Sequence, residues 1–256
     1  MSALVVIPSR YGSTRFPGKP LAMLAGKPMI QHVYEGAAKA RLAGETVVAT
    51  DDDRIIQAVE RFKGRAVMTS PTAASGAERA AEVARSRKEQ VIVNVQGDEP
   101  LVRPEMVDQL VEYLEHHQAV PMASLMTPLQ DDAQGASPNA VKVVVDRDGF
   151  ALYFSRAAIP FVRETNRRPW PRFFKHLGIY AYQRHFLLQF PSLELTTLEQ
   201  AEQLEQLRAL EHGYRIKLLE TQHDTIGVDT PDDLKTVEAI LMERSEVRGQ
   251  KPEARG

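Results

Sequence analysis

The sequence predicts an α/β fold: a mostly parallel, open sheet with helices on both faces and an inserted antiparallel layer. Two observations carry this. Short Val- and Ile-rich runs bounded by polar turns alternate with amphipathic helical stretches through the first half of the chain. Such alternation implies parallel strands joined by crossover helices. In the second half, Arg147-Asp148-Gly149 supplies a hairpin turn between two apolar runs, a pairing that parallel crossovers do not produce.

Residues 3–8, 46–50, 65–68 and 91–95 are the buried-strand runs of the first half. Helices fill the gaps. The stretch 29–42 starts behind Pro28, a good first-turn residue. In 52–62, Ile55, Ile56, Val59 and Phe62 form one stripe, and 77–87 is rich in Ala, Glu and Arg. In 104–116, Met106, Leu110, Val111 and Leu114 share a face. Residues 140–146 and 150–154 are the two arms of the hairpin. Residues 175–182 alternate like a strand, 194–211 carry one long helical pattern, and 215–221 read as another strand. Thr230-Pro231-Asp232-Asp233 is a helix start, with Thr as N-cap, Pro in the first turn and an acid at the third position. That helix is expected to reach about residue 243, and the charged tail 244–256 to be frayed or disordered. No linker-like stretch or repeat interrupts the chain. One domain over 1–243 is therefore expected, with the antiparallel insertion at about 138–185.

Composition excludes several function classes. The 256 residues include no cysteine, which removes disulfides, a thiol nucleophile and thiolate-bound zinc or iron–sulfur centres. Lys plus Arg is 32 against 34 Asp plus Glu, and a net charge of −2 argues against a dedicated nucleic-acid binder. The opening apolar run before Arg10 is too short for a signal-peptide core, and no uncharged window is long enough to span a bilayer. A soluble, cytoplasmic protein with no nucleic-acid or membrane partner is expected.

Residues 8–20 follow the first strand, where ligands bind in open α/β sheets. They read Pro-Ser-Arg-Tyr-Gly-Ser-Thr-Arg-Phe-Pro-Gly-Lys-Pro. Arg10, Arg15 and Lys19, two glycines and the hydroxyls of Ser13 and Thr14 suit a polyphosphate; a solvated basic loop is the plain alternative. Pro20 after Gly-Lys excludes a Walker A loop, and no Gly-x-Gly-x-x-Gly is present. Asp98, in Gln96-Gly97-Asp98-Glu99-Pro100, lies just past a buried strand, where an acid can hold a hard cation against phosphates. A turn cap before the helix at Pro104 is the alternative. Asp229 precedes the N-cap Thr230, and could instead be only a favourable charge at a helix start. In 175–182 a strand period puts His176, Gly178, Tyr180 and Tyr182 on one face, so His176 and Tyr180 can enter one cleft. Leu204-Glu205-Gln206-Leu207 could be a solvated face, with Glu205 pairing Arg208.

Taken together, residues 7–21, 48–51, 68–79, 91–100, 138–156, 175–182, 204–207 and 227–234 resemble, in order, the sugar-acid cytidylyltransferases. The resemblance is nearest to members that use 3-deoxy-manno-octulosonate (Kdo). It implies a Rossmann-like fold of the nucleotide-diphospho-sugar transferase type. It also implies transfer of CMP from CTP to the anomeric hydroxyl of Kdo, release of pyrophosphate, and formation of CMP-Kdo for lipopolysaccharide synthesis, with Mg²⁺ as cofactor and a homodimer formed through the insertion. Carried over residue by residue, it assigns Arg15, Lys19 and Asp98 to catalysis and Arg10, Ser13, Arg15, Lys19, Ser75 and Arg79 to the nucleotide. It assigns Gln96, Arg156, His176, Tyr180, Glu205 and Gln206 to the sugar acid, with Arg156 for its carboxylate, and Asp98 and Asp229 to Mg²⁺. One departure stands out: Ala77 replaces the family's Thr in Ser75-Gly76-Ala77-Glu78-Arg79, and residues 72–74 lack an acid and a His. A hydroxyl contact or a helix N-cap is therefore expected to be missing there. Another 2-keto sugar acid, such as sialic acid or an amino analogue of Kdo, is the rival substrate. A non-catalytic, nucleotide-binding regulatory protein is the rival of another class.

Overall fold

The computed structural model describes residues 2–12, 16–129, 131–163 and 173–249. The chain opens with β1 (Ala3–Ser9), a 3-10 turn at Lys19–Leu21, and a short ribbon of β2 (Met23–Leu24) and β3 (Lys27–Pro28). Next come α1 (Met29–Ala37), β4 (Ala43–Thr50), α2 (Asp53–Arg61), β5 (Ala66–Met68), α3 (Gly76–Arg85), β6 (Val91–Val95) and α4 (Pro104–His116). The second half contains β7 (Met122–Pro128), α5 (Asp132–Ala136), β8 (Lys142–Val145), β9 (Ala151–Ser155) and β10 (Phe174–Gln183). It closes with α6 (Arg184–Gln189), α7 (Thr197–Glu202), α8 (Gln206–Glu211), β11 (Ile216–Glu220) and α9 (Pro231–Gly249).

One sheet of nine described strands runs β11-β7-β10-β6-β1-β4-β5, with β8 and β9 branching from β10. The β6–β1–β4–β5 half is parallel throughout, as is β7 with β11. β10 is the antiparallel insert, wedged between β6 and β7 and carrying the β8–β9 hairpin on its first residues. The period of two decides the layers. In β1, Ala3, Val5 and Ile7 enter the apolar cluster under α1, α2 and α4, whereas Leu4 and Val6 enter the cluster under α3, α6 and α8. A third, smaller cluster of Leu24, Met29, Leu101, Val228 and Val237 fastens α9 to the short ribbon. Among the described residues, no helix is long and apolar enough to cross a membrane.

Several elements differ from their sequence patterns. α1 stops at Ala37, short of residue 42, because the chain turns into β4 at Ala43; the Leu42 amide donates to Asp108 and the Leu42 carbonyl accepts from Ala3. β7 carries no strand signature, since Thr127 is its only β-branched residue, yet it is buried between β10 and β11. The expected helix over 194–211 is two helices, broken where Gln203 takes the left-handed conformation at φ 54°. α9 runs past residue 243 to Gly249, so the tail is helical as far as it is described, and residues 250–256 lie outside the described residues. The hairpin turn forms around Gly149 at φ +76°, which favours glycine, and the Asp146 carboxylate accepts from the amides of Asp148 and Phe150.

Candidate active site

The parallel pairing of β1 with β6 sets the loops after both strands side by side. Gly97 makes their close approach possible: a Cβ there would lie 2.8 Å from the Pro8 carbonyl oxygen and collide with the Ser9 hydroxyl. The loop before α9 joins them, because the Val228 amide donates to the Asp98 carbonyl at 2.9 Å. A capping box then starts α9. The Thr230 amide donates to the Asp233 carboxylate at 2.8 Å and the Asp233 amide to the Thr230 hydroxyl at 3.2 Å. These constraints bring three charged side chains together. The Lys19 ammonium, delivered by the 3-10 turn, donates to Asp98 Oδ2 at 2.7 Å and to Asp229 Oδ1 at 3.1 Å. Both carboxylates reach one nitrogen, so they lie within about 6 Å of each other. Burial works against the charge of Lys19, but Asp98 and Asp229 outweigh it and hold its pKa above the ordinary lysine value.

Two clefts, of about 460 and 540 Å³, meet at this charged cluster and share Gln96, Asp98, Gln203 and Asp229 as a common wall. The first also holds Arg10, Lys19, Ser75 and Arg79; the second holds Arg156, His176, Tyr180, Glu205 and Gln206. Apart from Gln96 on the shared wall, the described residues expected at the nucleotide and those expected at the sugar thus segregate into adjoining spaces. Ser13 and Arg15 lie outside the described residues.

In the first cleft, Ser75 is the N-cap of α3 and accepts from the Glu78 amide at 3.2 Å. The expectation of a missing cap is therefore corrected. The cap sits at residue 75, and Ala77 packs fully buried in the core beneath the helix. The Ser75 hydroxyl also donates to Glu205 across the wall between the clefts. Arg79 is buried and braced, donating to Asp51 at 3.0 Å and to the Thr69 hydroxyl. Arg10 stands exposed at the mouth. The buried Ser9 hydroxyl, which sequence reasoning did not single out, lines this cleft and has no hydrogen-bond partner among the described residues.

The second cleft is built on β10. Its pairing with β7 slips between Leu177 and Tyr180, while the side-chain alternation holds. Leu177, Ile179 and Ala181 enter one core cluster and Tyr180 and Tyr182 the other. His176 and Tyr180 stand with ring centroids 5.3 Å apart. His176 Nε2 lies 2.8 Å from the Ser124 hydroxyl, which itself donates to the Ile179 carbonyl at 2.8 Å. Ser124 has one proton, so Nε2 of His176 is the donor in their bond and Nδ1 is left as an acceptor. Burial pushes the His176 pKa down to about 3, so its ring is neutral. The Tyr180 hydroxyl, its pKa raised by burial, donates to Gln206 Oε1 at 3.0 Å. Gln206 Nε2 is buried without a partner among the described residues. Burial also raises Glu205 to about 7, opposed only in part by Ser75 and Arg208. The alternative Glu205–Arg208 pairing does not form, because Arg208 grips Glu199 through two bonds of 2.7 Å. Arg156 is fixed by its own backbone surroundings, donating to the carbonyls of Glu202 at 2.8 Å and Pro138 at 3.0 Å. Gln203, Lys175 and Glu99 also line this cleft and were passed over by sequence reasoning. Gln203 left no signal inside a helical pattern, whereas Glu99 could have been found beside Asp98.

Comparison with known proteins identifies the family. The sequence model of a family described as cytidylyltransferase matches residues 4–217. A 3-deoxy-manno-octulosonate cytidylyltransferase of Geobacter sulfurreducens is 52% identical over 93% of this chain and 98% of the relative. One from Syntrophus aciditrophicus is 51% identical over 94% and 97%. A solved structure of a CMP:2-keto-3-deoxy-manno-octonic acid synthetase complexed with CTP superposes with a TM-score of 0.89 at 44% identity, covering 95% of this chain and 100% of that one. The fold alone is shared with a 4-diphosphocytidyl-2C-methyl-D-erythritol synthase from Anaerococcus prevotii, at 12% identity and a TM-score of 0.61. The chain belongs to the sugar-acid cytidylyltransferase family, among the 3-deoxy-manno-octulosonate cytidylyltransferases.

Proposed function

We propose that this nucleotidyltransferase moves CMP from CTP to the anomeric hydroxyl of Kdo, releasing pyrophosphate and supplying CMP-Kdo for lipopolysaccharide synthesis. The observation that carries the reading is the Lys19–Asp98–Asp229 cluster at the meeting of two clefts, one basic and one rich in hydroxyl-binding side chains. With CTP in the first cleft and the sugar acid in the second, the α-phosphorus and the attacking hydroxyl meet there. The sugar oxygen–phosphorus bond forms as the bond to pyrophosphate breaks, and catalysis is mainly positioning and charge stabilisation.

The donor set fits Mg²⁺. Two carboxylates already converge on one cation, and among the described residues no third His, Asp or Glu joins them in a metal-binding group. One or two carboxylates completed by substrate phosphates is the usual Mg²⁺ arrangement. Asp98 and Asp229 would hold the ion, which when bound neutralises the triphosphate. Lys19 and Arg15 would then turn to the phosphates and the leaving pyrophosphate, and Arg10, Ser13, Ser75 and Arg79 would position the nucleotide. In the sugar cleft His176 Nδ1 accepts and Gln206 Nε2 donates, matching a polyol. Tyr180 orients Gln206, Gln96 and Glu205 face further hydroxyls, and Arg156 meets the carboxylate. A cytoplasmic homodimer completes the reading. Leu152 on β9 and Phe161 just beyond it are 63% and 87% exposed, apolar area that a partner subunit would cover.

A pyrophosphate-release assay with CTP, Mg²⁺ and a panel of sugar acids tests the assignment. Kdo should give the highest kcat/KM. Faster use of sialic acid or an amino analogue would reassign the substrate, and no turnover with any sugar acid would favour a regulatory nucleotide-binding role.

A further inference from the structure

We infer that Glu99 is a specificity residue of the sugar cleft, its carboxylate accepting a hydrogen bond from one non-reacting hydroxyl of the sugar acid. This rests on the proposal that a sugar acid occupies that cleft. Asp98 lines both clefts, but its neighbour Glu99 lines only the second. The residue is 8% exposed, and Oε2 is sealed from solvent with no hydrogen-bond partner among the described residues. A buried acceptor in that state carries an unrepaid desolvation penalty, so side chains of this kind are normally satisfied by something. Thr225 lies beside the carboxylate, and two glycines border it: a Cβ at Gly178 would lie 3.3 Å from Oε1 and one at Gly227 3.5 Å away. A side chain at residue 178 on β10 would therefore crowd the carboxylate, whereas one at residue 227 would only touch it. A second buried atom without a partner among the described residues, Gln206 Nε2, belongs to a residue that lines the same cleft. One orphan accepts and the other donates, and a ligand bearing several hydroxyls does both.

Kinetics of wild type, Glu99→Ala and Glu99→Gln test this on whichever 2-keto sugar acid wild type uses best, and on analogues of it each lacking one hydroxyl. Glu99→Ala should raise KM for the intact sugar acid about 10–100-fold, as leaving a buried polar group without its partner does. KM for CTP should stay within about twofold, which also shows that the nucleotide cleft remains folded. Glu99→Gln keeps an acceptor and should lose less. For one analogue only, wild type and Glu99→Ala should have nearly equal KM, because the pairing hydroxyl is already gone. An equal loss on every analogue, or KM for CTP rising in step, would overturn the inference. So would a raised Mg²⁺ requirement in Glu99→Gln, which would make Glu99 a metal ligand. The substrate assignment is read from wild type alone, so it can fail while the Glu99 inference stands on the preferred acid.

Discussion

Asp98 and Asp229 face each other across Lys19, and two carboxylates this close repel unless a cation lies between them. Asp98→Asn and Asp229→Asn keep the side-chain size and one acceptor oxygen but remove the charge. Each should lower kcat about 10²–10³-fold with an unchanged thermal midpoint. Asp229→Asn with near-normal activity at low Mg²⁺ would reduce that residue to a charge at a helix start. In the sugar cleft, His176→Ala and Tyr180→Phe should weaken use of Kdo by about 1–3 kcal/mol while sparing CTP; equal losses for both substrates would make the two residues structural. The buried titrating groups also give a signed pH effect. His176 has a folded pKa of about 3 against an ordinary value near 6.5, so its stabilising contribution is complete above 6.5 and is lost as pH falls towards 3. Glu205 has the opposite sign. Its folded pKa of about 7 lies above the ordinary 4.5, so stability falls as pH rises from 4.5 through 7. Urea midpoints measured across pH 3–8 should show a shallower acid limb in His176→Gln and a smaller decline between pH 4.5 and 7 in Glu205→Gln.

At the scale of elements, the break between α7 and α8 decides whether the sugar cleft has a second wall. Gln203 in the left-handed conformation ends one helix and sends Leu204, Glu205 and Gln206 inward. A β-branched side chain tolerates that conformation poorly. Gln203→Val should therefore cost about 1–2 kcal/mol of stability and raise KM for the sugar acid more than KM for CTP. An unbroken helix over 194–211 would keep both properties intact in that variant. The same logic applies to the loop after β6. Because a Cβ at residue 97 runs into the end of β1, Gly97→Ala should displace Asp98 and lower kcat.

At the scale of the whole molecule, the antiparallel strands serve two sides of the fold. β10 completes the sheet and carries His176 and Tyr180 into the cleft, while β9 and the segment after it expose Leu152 and Phe161. Light scattering at micromolar concentration should report a dimer, and Leu152→Glu with Phe161→Glu should shift it towards monomer. A 28.6 kDa species in the unmodified protein would reject the dimer.

Local patterns determined much of this molecule. β6 and α4 run over the same residues as their apolar periods, and the Asp-Gly turn and the capping box at Thr230 form where the residue types call for them. The alternation of β10 also told which side chains share a face, with His176 and Tyr180 together on the one that borders the cleft. These features depend on neighbours a few residues apart, which the chain order displays directly. What lies between distant segments was decided by tertiary structure. β7 is a strand because β10 and β11 flank it, despite a weak local preference. α1 ends early because Ala43 enters the sheet beside β1. Gln203 breaks a helical pattern without any local breaker. Asp98 and Asp229 could be marked as acids at loop ends, but their meeting at Lys19 depends on the β1–β6 register, on Gly97 and on the bond from Val228 to Asp98. The physical reason is common to all four. Periodicity reports which side of an element is buried, whereas packing and long-range hydrogen bonds choose what it is buried against.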